Sequence, residues 1–138
     1  MIIADTNIVS ELMKDAPEPR VLDWARGVSV TDLTISVVTV EEVERGLGRL
    51  PVGRRRAGLS ARWARLLDAF GDTIAIYDVA AAQATAQVVV EGLNRGRPLA
   101  LADAQIAGIC LARTATLATR NATDFAVVTD LALVNPFD

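Results

Sequence analysis

Met1-Ile2-Ile3-Ala4-Asp5-Thr6-Asn7 is the stretch that decides the fold. An apolar run stops at an acidic residue, and two polar residues follow. A hydrophobic strand, Ile2–Ala4, this close to the N-terminus reads as the centre of an α/β sheet. Asp5 then stands at that strand's carboxyl end. Open α/β sheets bind ligands outside the carboxyl ends of their strands. Asp5 is therefore either part of a site or, like Thr6, a cap for the helix that follows to Met13.

From there outward the chain alternates strand and helix. Pro17 and Pro19 open a second helix that runs to about Gly27. Leu33–Ser36 reads as a strand and Thr39–Arg49 as a helix. Leu50-Pro51-Val52-Gly53 interrupts, and Arg54–Phe70 is helical again. Thr73–Tyr77 reads as a strand. Asp78 caps a long helix, Val79–Asn94, which ends at Gly96. After Pro98 comes the helix Leu101–Ala112, then strands at Thr116–Ala118 and Leu131–Val134. Alternating β and α elements predict a parallel sheet with helices on both faces.

Composition narrows the chemistry. The 138 residues suit a single domain, 1–138, with a core of its own. Apolar residues make up 51%, as in a folded chain. No apolar run reaches the roughly 20 residues a membrane helix needs, and no charged segment precedes an apolar one in the manner of a signal peptide. A cytoplasmic protein is expected. One cysteine, Cys110, precludes an internal disulfide and a thiolate zinc site.

Histidine is absent. That removes Ser-His-Asp and Cys-His nucleophile activation, and any ribonuclease mechanism built on imidazole. Lys14 is the only lysine. Enzymatic chemistry would fall to carboxylates, with a hard cation such as Mg²⁺ as their natural companion.

The net charge of −3 does not advertise a nucleic-acid binder, but its distribution is uneven. Half of the 14 basic residues lie between Arg45 and Arg65: Arg45, Arg49, Arg54, Arg55, Arg56, Arg62 and Arg65. They form either a solvated helix face or a strip for phosphate contact, to which arginine is suited.

Three further groups of polar residues stand out. Asp103 precedes Ile106, Ala107 and Cys110 by three, four and seven positions, in the middle of a buried-facing stripe. A carboxylate there is costly unless paired, capped or bound to metal, although an acid in the first turn of a helix is favoured in its own right. Glu41, Glu42 and Glu44 crowd the third helix. The wheel singles out none of them: Glu44 is nearest the apolar stripe and Glu42 well round from it, with Gly46 leaving space one turn beyond Glu42. Thr119-Arg120-Asn121-Ala122-Thr123-Asp124-Phe125 is a polar loop at a second strand's carboxyl end. It is either an ordinary Asn/Asp turn or a source of oxygen ligands from Asn121 or Asp124.

Taken together, Asp5-Thr6-Asn7, Thr39-x-x-Glu42-x-x-x-Gly46, Asp103-Ala104-x-Ile106-Ala107 and Thr119-Arg120-Asn121-x-x-Asp124-Phe125 resemble the PIN-domain ribonucleases. Among these the chain is most similar to the VapC toxins of bacterial toxin–antitoxin pairs, and its ending, Asn135-Pro136-Phe137, resembles that subgroup too. The motifs occur in order along nearly the whole chain.

The resemblance implies a PIN-like three-layer α/β fold, a central parallel sheet flanked by helices, with its acids gathered at the carboxyl edge. Asp5, Glu42 and Asp103 would be metal ligands for Mg²⁺ or Mn²⁺, with Thr6, Asn121 and Asp124 assisting. Some relatives carry Asp at the position of Asn121, so the fourth place falls to Asn121 or Asp124. Such a site hydrolyses RNA through metal-activated water. The resemblance further implies a homodimer, a cognate VapB-type antitoxin, and arginines that track the RNA backbone. An inhibitor helix is expected in a groove near Val9, Leu12 and Met13, beside Thr39–Leu50. Two other classes remain open: a Mg²⁺-dependent phosphohydrolase of small esters, and a catalytically silent binding module.

Overall fold

The structure, a computed structural model, describes residues 1–29 and 31–138. Four parallel strands form one sheet: β1 (Ile2–Ala4), β2 (Leu33–Thr34), β3 (Thr116–Ala118) and β4 (Leu133–Val134). Their order is β2-β1-β3-β4, so β1 is central, as its apolar run predicts. Ile2, Ile3 and Ala4 pair with Thr116, Leu117 and Ala118 on one side. Ile2 and Ile3 pair with Leu33 and Thr34 on the other.

Among the described residues, seven helices flank the sheet: α1 (Thr6–Leu12), α2 (Pro19–Gly27), α3 (Val37–Arg49), α4 (Arg54–Phe70), α5 (Val79–Asn94), α6 (Leu101–Arg113) and α7 (Ala122–Phe125). Successive strand residues point to opposite faces, and the core divides accordingly. Ile3 and Leu117 join α5, α6 and α7 residues such as Ala81, Ile106, Ile109 and Phe125. Ala4 and Ile35 join Ile8, Val9, Met13, Val21, Val43 and Trp63 from α1 to α4. The sheet is thus the middle of three layers.

Helix α6 meets α5 closely at Gly108. A Cβ there would overlap the Thr85 hydroxyl and stand 2.8 Å from the Ala81 carbonyl oxygen. No helix among the described residues is long and apolar enough to cross a membrane.

Three local expectations are corrected. Thr73–Tyr77 is not a strand. Gly71–Thr73 is a 3₁₀ turn entered through Gly71 at φ +48°, and only Ala75 bridges Ser36. The cause is the partner: β2 ends early and α3 begins at Val37, so nothing remains for Ile76 and Tyr77 to pair with, and both are exposed. The same early start corrects the expected Thr39, because Ser36 caps α3 by accepting from the Thr39 N–H at 3.3 Å. Finally, the polar loop after β3 contains the one-turn helix α7, anchored by fully buried Phe125.

Candidate active site

Asp5 leaves the end of β1 and is buried, at 3% exposure. The reading as a helix cap holds. Its Oδ1 accepts from the Thr6 N–H at 2.8 Å, starting α1. Its Oδ2 accepts from the Thr119 hydroxyl at 2.7 Å and from Asn7 Nδ2 at 3.3 Å. Burial pushes its carboxyl above the ordinary value. The hydrogen bond from Thr119 and the other donors pull it back, while the charge of Glu42 adds to the rise.

Glu42 is half-buried and Glu44 exposed, a choice that the helical wheel leaves open. Tertiary contact decides it. The Thr6 hydroxyl donates to Glu42 Oε1 at 2.7 Å. With that proton committed, the fully buried Thr39 hydroxyl, 3.0 Å from Thr6 Oγ1, is the donor to Thr6. The Thr39-x-x-Glu42 spacing thus places two groups one helical turn apart on a single hydroxyl of α1. Gly46 is not needed for room: a Cβ there would meet nothing within 4 Å.

Asp103 occupies the first turn of α6, half-buried at the end of the fully buried stripe Ile106, Ala107 and Cys110. Its carboxyl is pushed up to about 6, first by burial, then by the charges of Asp5, Glu42 and Asp124. Cys110 is fully buried, and burial pushes its thiol up to about 12.

Asp5, Thr6, Glu42, Asp103 and Asn121 line one open cleft of about 390 Å³. Asp124 does not share it. Asp124 is exposed and lines the adjoining cleft with Arg97 and the far side of Asp103. The cleft also contains Asn7 and Arg120 from those motifs and the sole lysine, Lys14, with two residues that spacing did not single out, Ser10 and Glu11. Glu11 is buried and lies one turn from Asn7, the only sequence signal it gives. A hydrogen bond from Lys14 at 2.9 Å, and then one from the Glu18 N–H, hold it below the usual carboxylate range.

The basic segment serves two ends. Arg62 fastens α4 to the end of α1 by donating to the Met13 carbonyl at 2.7 Å and pairing with Asp15. Arg45 pairs with Glu41, and Arg56 donates to the Leu50 carbonyl. Arg54 and Arg55 line a groove with Lys14 and Asp15, beside the acidic cleft. Of the residues near which the inhibitor groove is expected, Val9 and Met13 are buried in the core and Leu12 is half-buried, while the open groove on this side combines Leu59 with charged residues.

The PIN domain family profile matches residues 2–131. The chain belongs to the PIN-domain family. This PIN domain is 33% identical to "Plasmid stability protein StbB" of Pseudomonas syringae pv. tomato, over 100% of this chain and 99% of that one. It is 31% identical to "VapC ribonuclease Y4jK" of Sinorhizobium fredii, again over 100% and 99%. A chain in the crystal structure of FitAcB from Neisseria gonorrhoeae superposes with a TM-score of 0.91, at 31% identity, with 99% of each chain covered.

The donor set of the PIN domain suits a hard divalent cation. Its cleft offers carboxylate, hydroxyl and amide oxygens without a single imidazole or thiolate. Asp5 and Asp103 are raised in part by neighbouring carboxylates, a repulsion that a cation relieves. Among the described residues, no three acidic or cysteine side chains are drawn together into a ready-made cage.

Proposed function

We propose that this PIN domain is a divalent-metal-dependent endoribonuclease and the toxin half of a toxin–antitoxin pair. One observation carries the reading: Asp5, Glu42 and Asp103, from elements far apart in the chain, line one cleft beyond the carboxyl ends of the central strands. The similarity to proteins named VapC ribonuclease and Toxin FitB supports the same class.

Asp5, Glu42 and Asp103 would hold Mg²⁺ or Mn²⁺, which supplies charge neutralisation at a phosphate and a more acidic water. The chain's own residues prepare for this. Thr119 and the Thr6 N–H fix the orientation of Asp5, and the Thr6 hydroxyl fixes Glu42. Asn121 brings an amide to the cleft, and Asp124 a carboxylate to the far side of Asp103. With no histidine in the chain, water activation falls to oxygen groups. Arg54 and Arg55, in the adjoining groove, would meet backbone phosphates without reading sequence.

The inhibitor would be a cognate VapB-type antitoxin. In the absence of cation the cleft attracts an arginine or lysine, which pairs with carboxylates and displaces the ion. The similarity to chains in the solved structures of FitAcB and FitAB supports that pairing. The active form would be a homodimer, the domain spanning the whole chain, and the compartment the cytoplasm.

The test is cleavage of labelled RNA with Mg²⁺ or Mn²⁺. Asp5→Asn and Asp103→Asn should stay folded and lose cleavage by orders of magnitude, as should the parent chain in excess EDTA. Cleavage that persists in EDTA would reject the metal mechanism. Hydrolysis of small phosphate esters alone would point to a phosphohydrolase, and metal binding without turnover to a silent module. Expression alone should arrest growth, and co-expression of the neighbouring antitoxin should restore it.

A further inference from the structure

Arg120 follows β3 by two residues and stands exposed at the rim of the acidic cleft. Its main chain is pinned on both sides. The N–H donates to Asn7 Oδ1 at 3.2 Å, and the carbonyl accepts from Asn135 Nδ2 at 3.4 Å. Its guanidinium carbon lies over the Phe137 ring, 4.4 Å from the centroid. Phe137 is held in turn. Its N–H donates to Asn135 Oδ1 at 3.0 Å, its carbonyl accepts from Arg20 at 3.4 Å, and its side chain packs on the α1–α4 core. The Asn135 side chain therefore grips the backbones of both the cation and the ring beneath it.

The guanidinium makes no hydrogen bond or ion pair with the described residues, although its charge adds to those that hold Glu11 below the usual carboxylate range. Among the described residues, the ion pairs involve Lys14, Arg45, Arg62 and Arg95, and none involves Arg120. Lys14, the other cation of the cleft, is paired with Glu11. Stacking occupies only the face of a guanidinium, whereas its five N–H donors lie in the plane. The Phe137 stack thus restricts Arg120 and leaves its donor edge open.

We propose that Arg120 binds a phosphate of the substrate strand, and that Phe137 is its positioning residue. The proposal rests on the ribonuclease reading, in which a polyanion must approach three carboxylates. A pre-aimed cation at the rim offsets that repulsion before the strand reaches the acids, and a guanidinium takes a phosphate through two parallel hydrogen bonds.

The test uses a labelled single-stranded RNA oligonucleotide and the full chain, in EDTA so that binding is read without cleavage, across a KCl series. Arg120→Ala should weaken binding about tenfold and reduce the log–log salt slope by about 0.7, the share of one single-strand phosphate contact. Arg120→Lys should recover the slope but not the full affinity. Phe137→Leu keeps apolar bulk and removes the ring. It should weaken binding by about threefold, a fraction of the Arg120 effect, with the slope retained. The double variant Arg120→Ala/Phe137→Leu should bind no worse than Arg120→Ala alone. A parent chain that binds and cleaves RNA while Arg120→Ala keeps its affinity and slope would overturn this proposal and leave the ribonuclease reading intact, as would strictly additive losses in the double variant. A folded parent chain that neither binds nor cleaves RNA would remove both. Arg120 is exposed, so its variant should melt with the parent and decides the matter even if Phe137→Leu is unstable.

Discussion

The hydroxyl of Thr119 donates to Oδ2 of Asp5 at 2.7 Å, joining residues 114 positions apart in the chain. The same oxygen accepts the Asn121 N–H at 3.0 Å. A hydroxyl has one proton to give and two lone pairs to offer, and Thr119 uses both functions while fully buried. One side chain thereby steadies the central acid and starts the turn that brings Asn121 to the cleft.

Thr119→Val keeps the shape and removes the donor. It should cost about 1–3 kcal/mol, the penalty of leaving buried polar groups unpartnered, and push the Asp5 carboxyl still higher. Mn²⁺ affinity should fall with it. Thr119→Ser should keep both properties. Thermal melts and a Mn²⁺ titration read the two effects, and equal behaviour of the Val and Ser variants would contradict this role.

Acid should stabilise the metal-free chain at Asp103. Its folded carboxyl lies near 6 against an ordinary 3.8. The folded state therefore holds this proton more tightly than the unfolded state. Stability from that source is complete below about 3.8 and is lost as pH rises through about 6. Asp103→Asn escapes the loss. In EDTA it should be more stable than the parent at pH 7.5, by about 1 kcal/mol once solvent screening of a half-exposed group is allowed for. The gap should close toward pH 4. A gap that widens in acid would contradict the sign.

The arginines of α4 should separate by role. Arg54→Ala with Arg55→Ala should leave the melting temperature nearly unchanged. RNA binding should weaken, with a salt slope reduced by about 1.4 for two phosphate contacts. Arg62→Ala, which loses the bond to the Met13 carbonyl and the pair with Asp15, should instead lower stability. An unchanged slope in the double variant would assign that groove to solvent or to a protein partner.

Gly108→Ala should destabilise by about 3 kcal/mol, the upper range for overpacking, because the new Cβ meets backbone atoms of α5, Ala81 O at 2.8 Å and Thr85 N at 2.9 Å. Adding Thr85→Ala should not rescue it, since those backbone atoms stay in place. Gly46→Ala, with open space around its Cβ, should be neutral or stabilising by about 0.5–1 kcal/mol. Denaturant melts of the variants check the contrast.

What was legible in the chain was local and periodic. The apolar run ending at Asp5, the stripe behind Asp103, the Asp78 cap and the breaker at residues 50–53 each state their structure within a few neighbours. The fold class followed from their alternation. The strand expected at Thr73–Tyr77 failed because strand formation depends on a partner, and β2 had already given way to α3. Helix α7 escaped because one turn carries no period. Glu42 could not be chosen over Glu44 from a wheel, since a hydroxyl on another helix makes the choice. Glu11, Thr119 and Arg120 matter through contacts with residues 3 to 114 positions away in sequence, counting the stack on Phe137 at 17. Order along the chain, read as a family resemblance, pointed to the acids where spacing alone did not.

The central place of β1 has a consequence in time. A ribosome delivers the N-terminal strand first, yet its β3 neighbour is residues 116–118, and the hydroxyl that steadies Asp5 belongs to Thr119. Chain closure of that length is slow compared with local helix formation. On the proposed function, a partly synthesised chain holds Asp5 and Glu42 but lacks the strand that assembles them with Asp103. On that reading the nascent protein would be harmless to the RNA around it until most of its length has emerged, and an inhibitor made alongside it would have that interval in which to fold.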